Sequence, residues 1–187
     1  MAKTAFFRNF LQHPIQVGAL APSSNALVNK LLSPIDWTKI RTVVECGPGN
    51  GAITRGVMKR LSPEGKFLGI EINPQFVYQL KAEFGQQPNF SIIQASAIDV
   101  EQLSKDHFGT EEGIDLIVTS LPFSPLPLAI RKELIRNAGR SLKKDGVLLA
   151  YQYARHLEPI LKENFRVVKR SFVLRNFPPA FTYYCQK

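Results

Sequence analysis

Two acids and three glycines in this chain are spaced to hold a nucleoside. Glu45 ends the β-branched run Val43-Val44, and Gly47, Gly49 and Gly51 follow it at alternate positions in Glu45-Cys46-Gly47-Pro48-Gly49-Asn50-Gly51. Ile53, Val57 and Leu61 then recur at helical spacing, so the stretch reads as strand, tight turn, helix. Glycines in such a turn let the backbone approach a ligand where a Cβ would clash. The helix that follows presents free N–H groups at its N-terminus. Glu71 ends the next strand-like run, Phe67-Leu68-Gly69-Ile70, twenty residues beyond Gly51. An acid there is placed to accept hydrogen bonds from both hydroxyls of a ribose. The glycines alone would also suit a tight turn with no ligand; the acids at both strand ends argue for the cofactor.

Two details separate a methyl donor from a dinucleotide. The glycine spacing is G-x-G-x-G, not G-x-G-x-x-G. Pro48 also removes one N–H from a loop that would otherwise cradle a pyrophosphate. S-adenosylmethionine has no phosphate but carries an ammonium and a sulfonium, and Glu45 supplies negative charge near them. The run resembles motif I of the class I S-adenosylmethionine-dependent methyltransferases. Further on, Ser120-Leu121-Pro122-Phe123 resembles the N-L-P-F/Y or D-P-P-Y box of amine-methylating enzymes, with Ser in place of Asn or Asp. That box presents a side-chain oxygen and a strand-end carbonyl to an attacking nitrogen, with an aromatic ring covering it. For Pro122 and Phe123 a strand-ending turn with a packed ring is the plainer alternative. After strand three stands Ala95-Ser96-Ala97, where many relatives carry an Asp for the adenine amino group. Ser96 is the counterpart here and can accept a hydrogen bond without a full charge. Methyl transfer needs a deprotonated amine about 3 Å from the methyl group, and positioning supplies most of the catalysis. Tyr151, Tyr153, His156 and Tyr183 are candidate proton acceptors or cation–π partners, Tyr153 first among them, although for any single one a place in the core or on the surface is the plainer reading.

The elements that position these residues alternate. Strands are expected at about 42–46, 66–71, 90–94, 114–119 and 147–151, and helices at about 52–61, 74–84, 99–107, up to 142, and 157–164. Ile114–Thr119 is a near-continuous apolar run, as a buried parallel strand requires. Two β-rich segments, 165–175 and 180–186, close the chain as a hairpin around Asn176-Phe177-Pro178-Pro179. The expectation is α/β: one Rossmann-like class I methyltransferase domain over 1–187, with a mostly parallel seven-stranded sheet and an antiparallel last strand. Residues 1–35 form N-terminal amphipathic or lid helices, and 40–187 form the core. Ser23 or Ser24 caps the helix carrying Leu27, Val28, Leu31 and Leu32, and the Val17–Ser24 loop closes over the methionine end of the cofactor.

At 187 residues the chain is about one domain, and 44% hydrophobic content with 13 Phe is enough for a core. No apolar run approaches the roughly 20 residues of a membrane span, and Arg8, Asn9, Gln12 and His13 interrupt any leader-like run. Cys46 and Cys185 lack metal spacing and read as reduced core thiols. The formal net charge is +9, and residues 131–187, with 13 Lys/Arg against 4 Asp/Glu, account for all of it. An acidic partner is implied, nucleic acid or an anionic membrane surface. Phe6, Phe7, Phe10 and Leu11 fall on one face of a short helix, with Lys3, Arg8, Asn9 and Gln12 elsewhere around it. That face suits either a bilayer interface or the protein's own core.

Val17–Ser24 (V-G-A-L-A-P-S-S), Glu45–Gly51, Ser120–Phe123, Gln152 and Asn176–Ala180 (N-F-P-P-A) together resemble the bacterial phospholipid N-methyltransferases of the PmtA type, across about 6–186. The resemblance implies methylation of the amine of phosphatidylethanolamine by S-adenosylmethionine, in up to three rounds toward phosphatidylcholine, with S-adenosylhomocysteine as product. It implies Ser23, Glu45, Gly47, Gly49, Gly51, Glu71, Ile72, Ser96, Ala97, Ser120 and Leu121 at the cofactor, and Ser120, Phe123 and Tyr153 at the reacting amine. It implies a membrane face of Lys3, Phe6, Phe7, Arg8 and Phe10, no metal, and a cytoplasmic monomer resting reversibly on the inner leaflet of the cytoplasmic membrane. The rivals are an rRNA adenine N6-methyltransferase-like enzyme and a non-catalytic lipid- or cofactor-binding module. Position 120 lacks the Asn of the rRNA enzymes, so nucleic acid is not the expected partner. Replacing Phe7 and Phe10 together by Asp is expected to abolish co-sedimentation with anionic liposomes while cofactor affinity in solution stays at the wild-type value.

Overall fold

All six residues of Ile114–Thr119 are buried, and so are the last four of Thr42–Cys46. Strands buried on both faces belong in the middle of a sheet covered by helices on each side. The structure, a computed structural model, describes residues 23–109 and 112–187. In chain order it has α1 (Asn25–Leu32), β1 (Thr42–Cys46), α2 (Ala52–Met58), β2 (Lys66–Glu71), α3 (Pro74–Phe84), β3 (Phe90–Gln94) and α4 (Val100–Phe108). Then follow β4 (Ile114–Thr119), α5 (Leu128–Ser141), β5 (Leu142–Gln152), α6 (Glu158–Asn164), β6 (Val167–Val173) and β7 (Ala180–Gln186).

The sheet order is β3-β2-β1-β4-β5-β7-β6. β7 alone runs antiparallel, pairing with β5 on one side and β6 on the other. The order reverses between β1 and β4, both of which pair in parallel, and a crevice forms at the carboxyl ends of strands at such a switch point. This is the expected Rossmann-like methyltransferase architecture, with its antiparallel last strand. Alternation along the strands divides the core. Val44, Cys46, Leu68 and Ile70 pack with α4, α5 and α6, while Val43, Phe67, Leu116 and Val118 pack with α1, α2 and α3. Phe67 stacks on Phe90 at 5.3 Å between ring centroids, and Phe84 meets Phe90 at 5.1 Å, fixing α3 over the sheet edge.

Helix starts follow side-chain chemistry. Ser24 accepts from the Leu27 N–H at the head of α1, and Asn73 accepts from the Gln75 N–H ahead of Pro74 in α3. Two boundaries differ from the sequence expectation. α2 ends at Met58 rather than near 61, because the Val57 carbonyl accepts from both the Arg60 and the Leu61 N–H and the chain tightens into a turn. Strand five begins at Leu142, and its pairing with β4 slips: Ile114 faces Leu142 and Leu116 faces Val147, so Lys143–Gly146 stand opposite Asp115 alone. The expected Asp145-Gly146 turn is therefore a loop within β5, with Asp145 at φ 65°. The expected membrane residues Lys3, Phe6, Phe7, Arg8 and Phe10, and the loop up to Pro22, lie outside the described residues. Among the described residues no helix is long and apolar enough to cross a membrane.

Asp115 is the charged exception in β4. Its Oδ2 accepts from the Arg41 and Thr42 N–H groups, each at 2.8 Å, and from the Thr42 hydroxyl at 3.1 Å, while Oδ1 pairs with the Lys143 ammonium. Burial pushes its carboxyl up, but Lys143 and the two backbone donors outweigh that and hold it below the usual carboxylate value. A depressed acid stabilises the fold above its unfolded value, and the gain is lost as pH falls through the folded value. Asp115→Asn is accordingly expected to lower the unfolding free energy by about 1–3 kcal/mol at neutral pH. In urea titrations the difference from wild type should shrink below about pH 4.

Candidate functional site

The turn after β1 is held from both sides. The Gly47 N–H donates to the Ile70 carbonyl of β2 at 2.9 Å, and the Ser120 N–H beyond β4 donates to the Cys46 carbonyl at 3.0 Å. Gly47 has φ +72°, and a Cβ there would stand 2.5 Å from Leu121 Cδ2. Gly51, at φ +80°, is the N-cap of α2, and a Cβ there would meet Leu80 Cδ2 at 2.5 Å. Both positions therefore demand glycine for backbone conformation and for space. Gly49 N–H donates to Glu71 Oε2 at 3.0 Å, and the Asn73 N–H donates to Glu71 Oε1 at 2.8 Å. Glu71 thus ties the glycine turn to the start of α3. An ionised carboxylate has about four lone-pair sites, so both oxygens retain capacity for ribose hydroxyls.

Glu45 is completely buried, facing α2. It accepts from the Thr54 hydroxyl at 2.7 Å, with the Ser120 hydroxyl at 3.4 Å. Burial pushes its carboxyl up to about 7; Thr54 and Ser120 oppose the rise and the nearby Glu71 charge adds to it. The folded chain keeps a proton here that an unfolded chain gives up near 4.5, so this group's contribution to stability falls as pH rises from there to about 7. An acid that burial makes hard to ionise, beneath the turn, is the residue to expect where a cation arrives with the ligand.

Above it opens a cleft lined by the glycine turn, Asn50, Ala52 and Ile53, with Phe76, Ser120, Tyr151, Tyr153 and Ser23 completing the wall. None of these side chains is charged. The Ser23 hydroxyl donates to the Tyr151 hydroxyl at 3.3 Å, and the two tyrosine rings meet edge to face at 6.1 Å. Burial raises both phenols above their usual value; the Ser23 bond opposes this at Tyr151 and a hydrogen bond with Asn176 opposes it at Tyr153. Each is a neutral hydroxyl at physiological pH, able to accept a hydrogen bond but not a phenolate base.

The structure brings Ser23, Gly47, Gly49, Ser120 and Tyr153 to one cleft, with Glu45 directly beneath. It places others elsewhere. Phe123 is 2% exposed and packs in the core with Leu126 and Ile130, so its ring does not line the cleft. Ser96 is buried and caps the short 3-10 turn Ala97–Asp99, accepting from the Ile98 N–H at 3.3 Å. Ala97 is in the core and Ile72 packs against it, at the carboxyl ends of β2 and β3. Tyr183 is buried in β7 with no partner for its hydroxyl among the described residues, while His156 is exposed. Leu121 packs over Gly47, and its carbonyl accepts from Gln152 Nε2 at 2.9 Å. Gln152 also donates to the Tyr151 carbonyl at 2.5 Å, so one side chain fixes the loop after β4 against the end of β5.

Sequence reasoning missed Thr54, whose signal was a hydroxyl on the buried face of an apolar helix, between Ile53 and Val57. It also missed Phe76 and Asn50 as lining residues, which no spacing rule would reveal.

The family model described as a methyltransferase domain matches residues 44–148. The chain is 29% identical over 186 residues to an ornithine lipid N-methyltransferase of Singulisphaera acidiphila, covering 97% of this chain and 94% of the relative. It is 36% identical over 75 residues to ribosomal RNA small subunit methyltransferase A of Mycoplasma capricolum, covering 40% of this chain and 27% of that protein. Among solved structures, the N-methyltransferase NodS from Bradyrhizobium japonicum superposes with a TM-score of 0.68 at 16% identity, over 86% of this chain and 92% of that one. NodS in complex with S-adenosylhomocysteine superposes with a TM-score of 0.67 over 86% and 83%. At that identity the likeness speaks for the fold.

The glycine cradle, the buried Glu45 and the uncharged cleft fit a cationic nucleoside. A bound cation favours the ionised form of Glu45, so S-adenosylmethionine binding near pH 7 is expected to be accompanied by net proton release. Calorimetry in buffers of different ionisation enthalpy reads this release, and Glu45→Gln should abolish it.

Proposed function

The chain belongs to the methyltransferase domain family, and on that premise we propose that it N-methylates the primary amine of a membrane lipid, phosphatidylethanolamine in the first place. It is an S-adenosylmethionine-dependent methyltransferase; the lipid amine is the step beyond. The likeness that supports the lipid is end to end, with almost the whole of each chain matched to a lipid N-methyltransferase. The likeness to the ribosomal RNA methyltransferase extends over only 40% of this chain and about a quarter of that protein's length.

S-adenosylmethionine, when bound, supplies an electrophilic methyl group on a sulfonium. The chain supplies the rest. The glycine turn and Glu71 hold the nucleoside side, and Glu45 balances positive charge from below. Ser120 stands between Glu45 and the cleft, so its hydroxyl oxygen is placed to accept a hydrogen bond from an amine N–H. The Leu121 carbonyl, held by Gln152, fixes the loop that carries Ser120. The free amine is the nucleophilic form, and the Tyr151 and Tyr153 rings in the cleft wall suit the positive charge that develops on its nitrogen as the methyl group arrives. Tyr151 and Tyr153 are neutral acceptors on the far wall, suited to pass the departing proton to water. An amine that has gained one methyl group meets the same lining, so repeated rounds need no further residue.

In this reading the protein works in the cytoplasm and rests reversibly on the inner leaflet of the cytoplasmic membrane. The basic surplus and the side chains of Phe6, Phe7 and Phe10 carry it there, and PmtA-type enzymes are the functional counterpart. Ornithine lipid is the second reading, favoured by what the Singulisphaera acidiphila protein is named for; it too offers a primary amine close to an anionic group.

Methyl-labelled S-adenosylmethionine offered with phosphatidylethanolamine vesicles, ornithine lipid vesicles and ribosomal RNA in parallel is expected to label the phosphatidylethanolamine. Label in ornithine lipid alone replaces the substrate and keeps the class; label in RNA alone overturns the proposal. Ser120→Ala should lower kcat by at least about tenfold, as loss of one oriented polar contact does, while cofactor affinity changes little.

A further inference from the structure

Among the described residues the exposed large apolar side chains are Tyr78, Leu128, Phe172, Leu174 and Phe177. Phe177 is 84% exposed, Leu174 75% and Leu128 58%. These three share one edge of the molecule. Leu128 opens α5, directly after the loop that leaves the carboxyl end of β4. Leu174 and Phe177 lie in the turn between β6 and β7; Val173 pairs with Ala180, and Phe181 pairs with Gln152 at the carboxyl end of β5. The turn therefore projects past the same strand ends that bear the cleft.

The turn is held from below while its tips face solvent. Asn176 is buried; its Oδ1 accepts from the Ser24 N–H at 3.0 Å, and its Nδ2 donates to the Pro178 carbonyl at 2.7 Å. The Arg175 carbonyl accepts from the Ser24 hydroxyl at 2.8 Å. Ser24 adjoins Ser23 of the cleft wall, and the Ser23 hydroxyl donates to the Tyr151 hydroxyl there. A side chain at the turn tip is thus fixed relative to the reacting site, and ordering it on a partner costs little entropy.

Charge selects the partner. Residues 120–132, 151–157 and 171–187 contain no Asp or Glu, and Arg155 and Arg175 are exposed among them. An acid-free rim of apolar tips with interspersed arginines complements an anionic lipid surface, where apolar groups sink below the headgroups and guanidinium groups stay with the phosphates. Leu128 and Leu174 offer no ring on which a nucleic-acid base could stack.

Resting on the lipid reading of the function, we propose that the β6–β7 turn is a membrane-docking element. Phe177 and Leu174 enter the interface of an anionic bilayer, Arg175 and Arg155 meet its phosphates, and Leu128 touches down across the cleft mouth. The cleft then opens onto the headgroup layer, and a lipid amine reaches Ser120 without its acyl chains leaving the bilayer.

The test uses the full chain with vesicles of mixed phosphatidylglycerol and phosphatidylcholine. Leu174→Ser combined with Phe177→Ser is expected to weaken co-sedimentation by about tenfold or more, the scale set by removing two interfacial apolar groups. S-adenosylmethionine affinity, read by calorimetry, should stay at the wild-type value. Sedimentation equal to wild type overturns the proposal. So does a variant that loses RNA binding or self-association while it still binds vesicles. A second measurement does not depend on the folding of the double variant. In a Trp37→Phe background, the Phe177→Trp indole should shift to the blue on vesicles and be quenched by lipids brominated near the headgroup end of the acyl chain. Unquenched emission from vesicle-bound protein overturns the docking element. If the lipid takes up label and that indole remains unquenched, the docking element alone falls. If lipid takes up no label and RNA does, the functional reading falls with it.

Discussion

The absence of a side chain at Gly47 is the constraint on which the site depends. The chain leaving β1 must pass between the Ile70 carbonyl of β2 and the Leu121 side chain beyond β4, in a left-handed conformation. A Cβ would drive into Leu121, whose own carbonyl is pinned by Gln152. Displacing Leu121 would shift Ser120, and with it the Ser120 N–H bond to Cys46 that closes the end of β1 on β4. One missing methyl group thus lets three strand ends converge, and the crevice at the switch point exists because they do.

Burial of Glu45 gives that crevice its electrostatic character. An acid removed from water inside a sheet is costly in its ionised form, and here two hydroxyls meet it instead of a cation. The site therefore keeps a latent negative charge that a positively charged ligand brings out. Glu71, which holds backbone N–H groups of the turn and of α3, is the complementary acid: it organises the loop as well as offering oxygen to a ribose. The tyrosines on the far wall are neutral, so positive charge is matched from below while the mouth stays suited to a free amine.

The last two strands connect this chemistry to the outside. β6 brings the chain to the carboxyl edge and β7 runs back from it antiparallel to β5, so the β6–β7 turn reaches the same level as the loops after β4 and β5. Asn176 then fastens the turn to Ser24, and through Ser23 and Tyr151 the head of α1 is fastened to the cleft wall. Cofactor site and exposed apolar edge are two parts of one rigid frame.

Read alone, the sequence determined the succession of strands and helices, because buried parallel strands must be apolar throughout and the helices between them apolar on one face. It also determined the glycine turn with its two acids, since Gly47 and Gly51 answer a backbone requirement that is local in the chain. It determined less where an outcome depends on partners far along the chain. The aromatic ring of the Ser120-Leu121-Pro122-Phe123 box looks from its spacing like a cover for the cleft, yet Phe123 lies in the core, because a buried ring gains more from apolar neighbours than from a wet rim. The slip at Lys143–Gly146 lies opposite Asp115, whose carboxylate takes the Arg41 and Thr42 backbone donors and a lysine from β5. Gln152 behind Leu121 and Asn176 under the hairpin belong to the segments that carry the family resemblance, and Thr54 beneath the turn does not, but the sequence names no partner for any of the three. Each acquires its role from a hydrogen bond to a residue on another element, and only the packed sheet decides which residue that is.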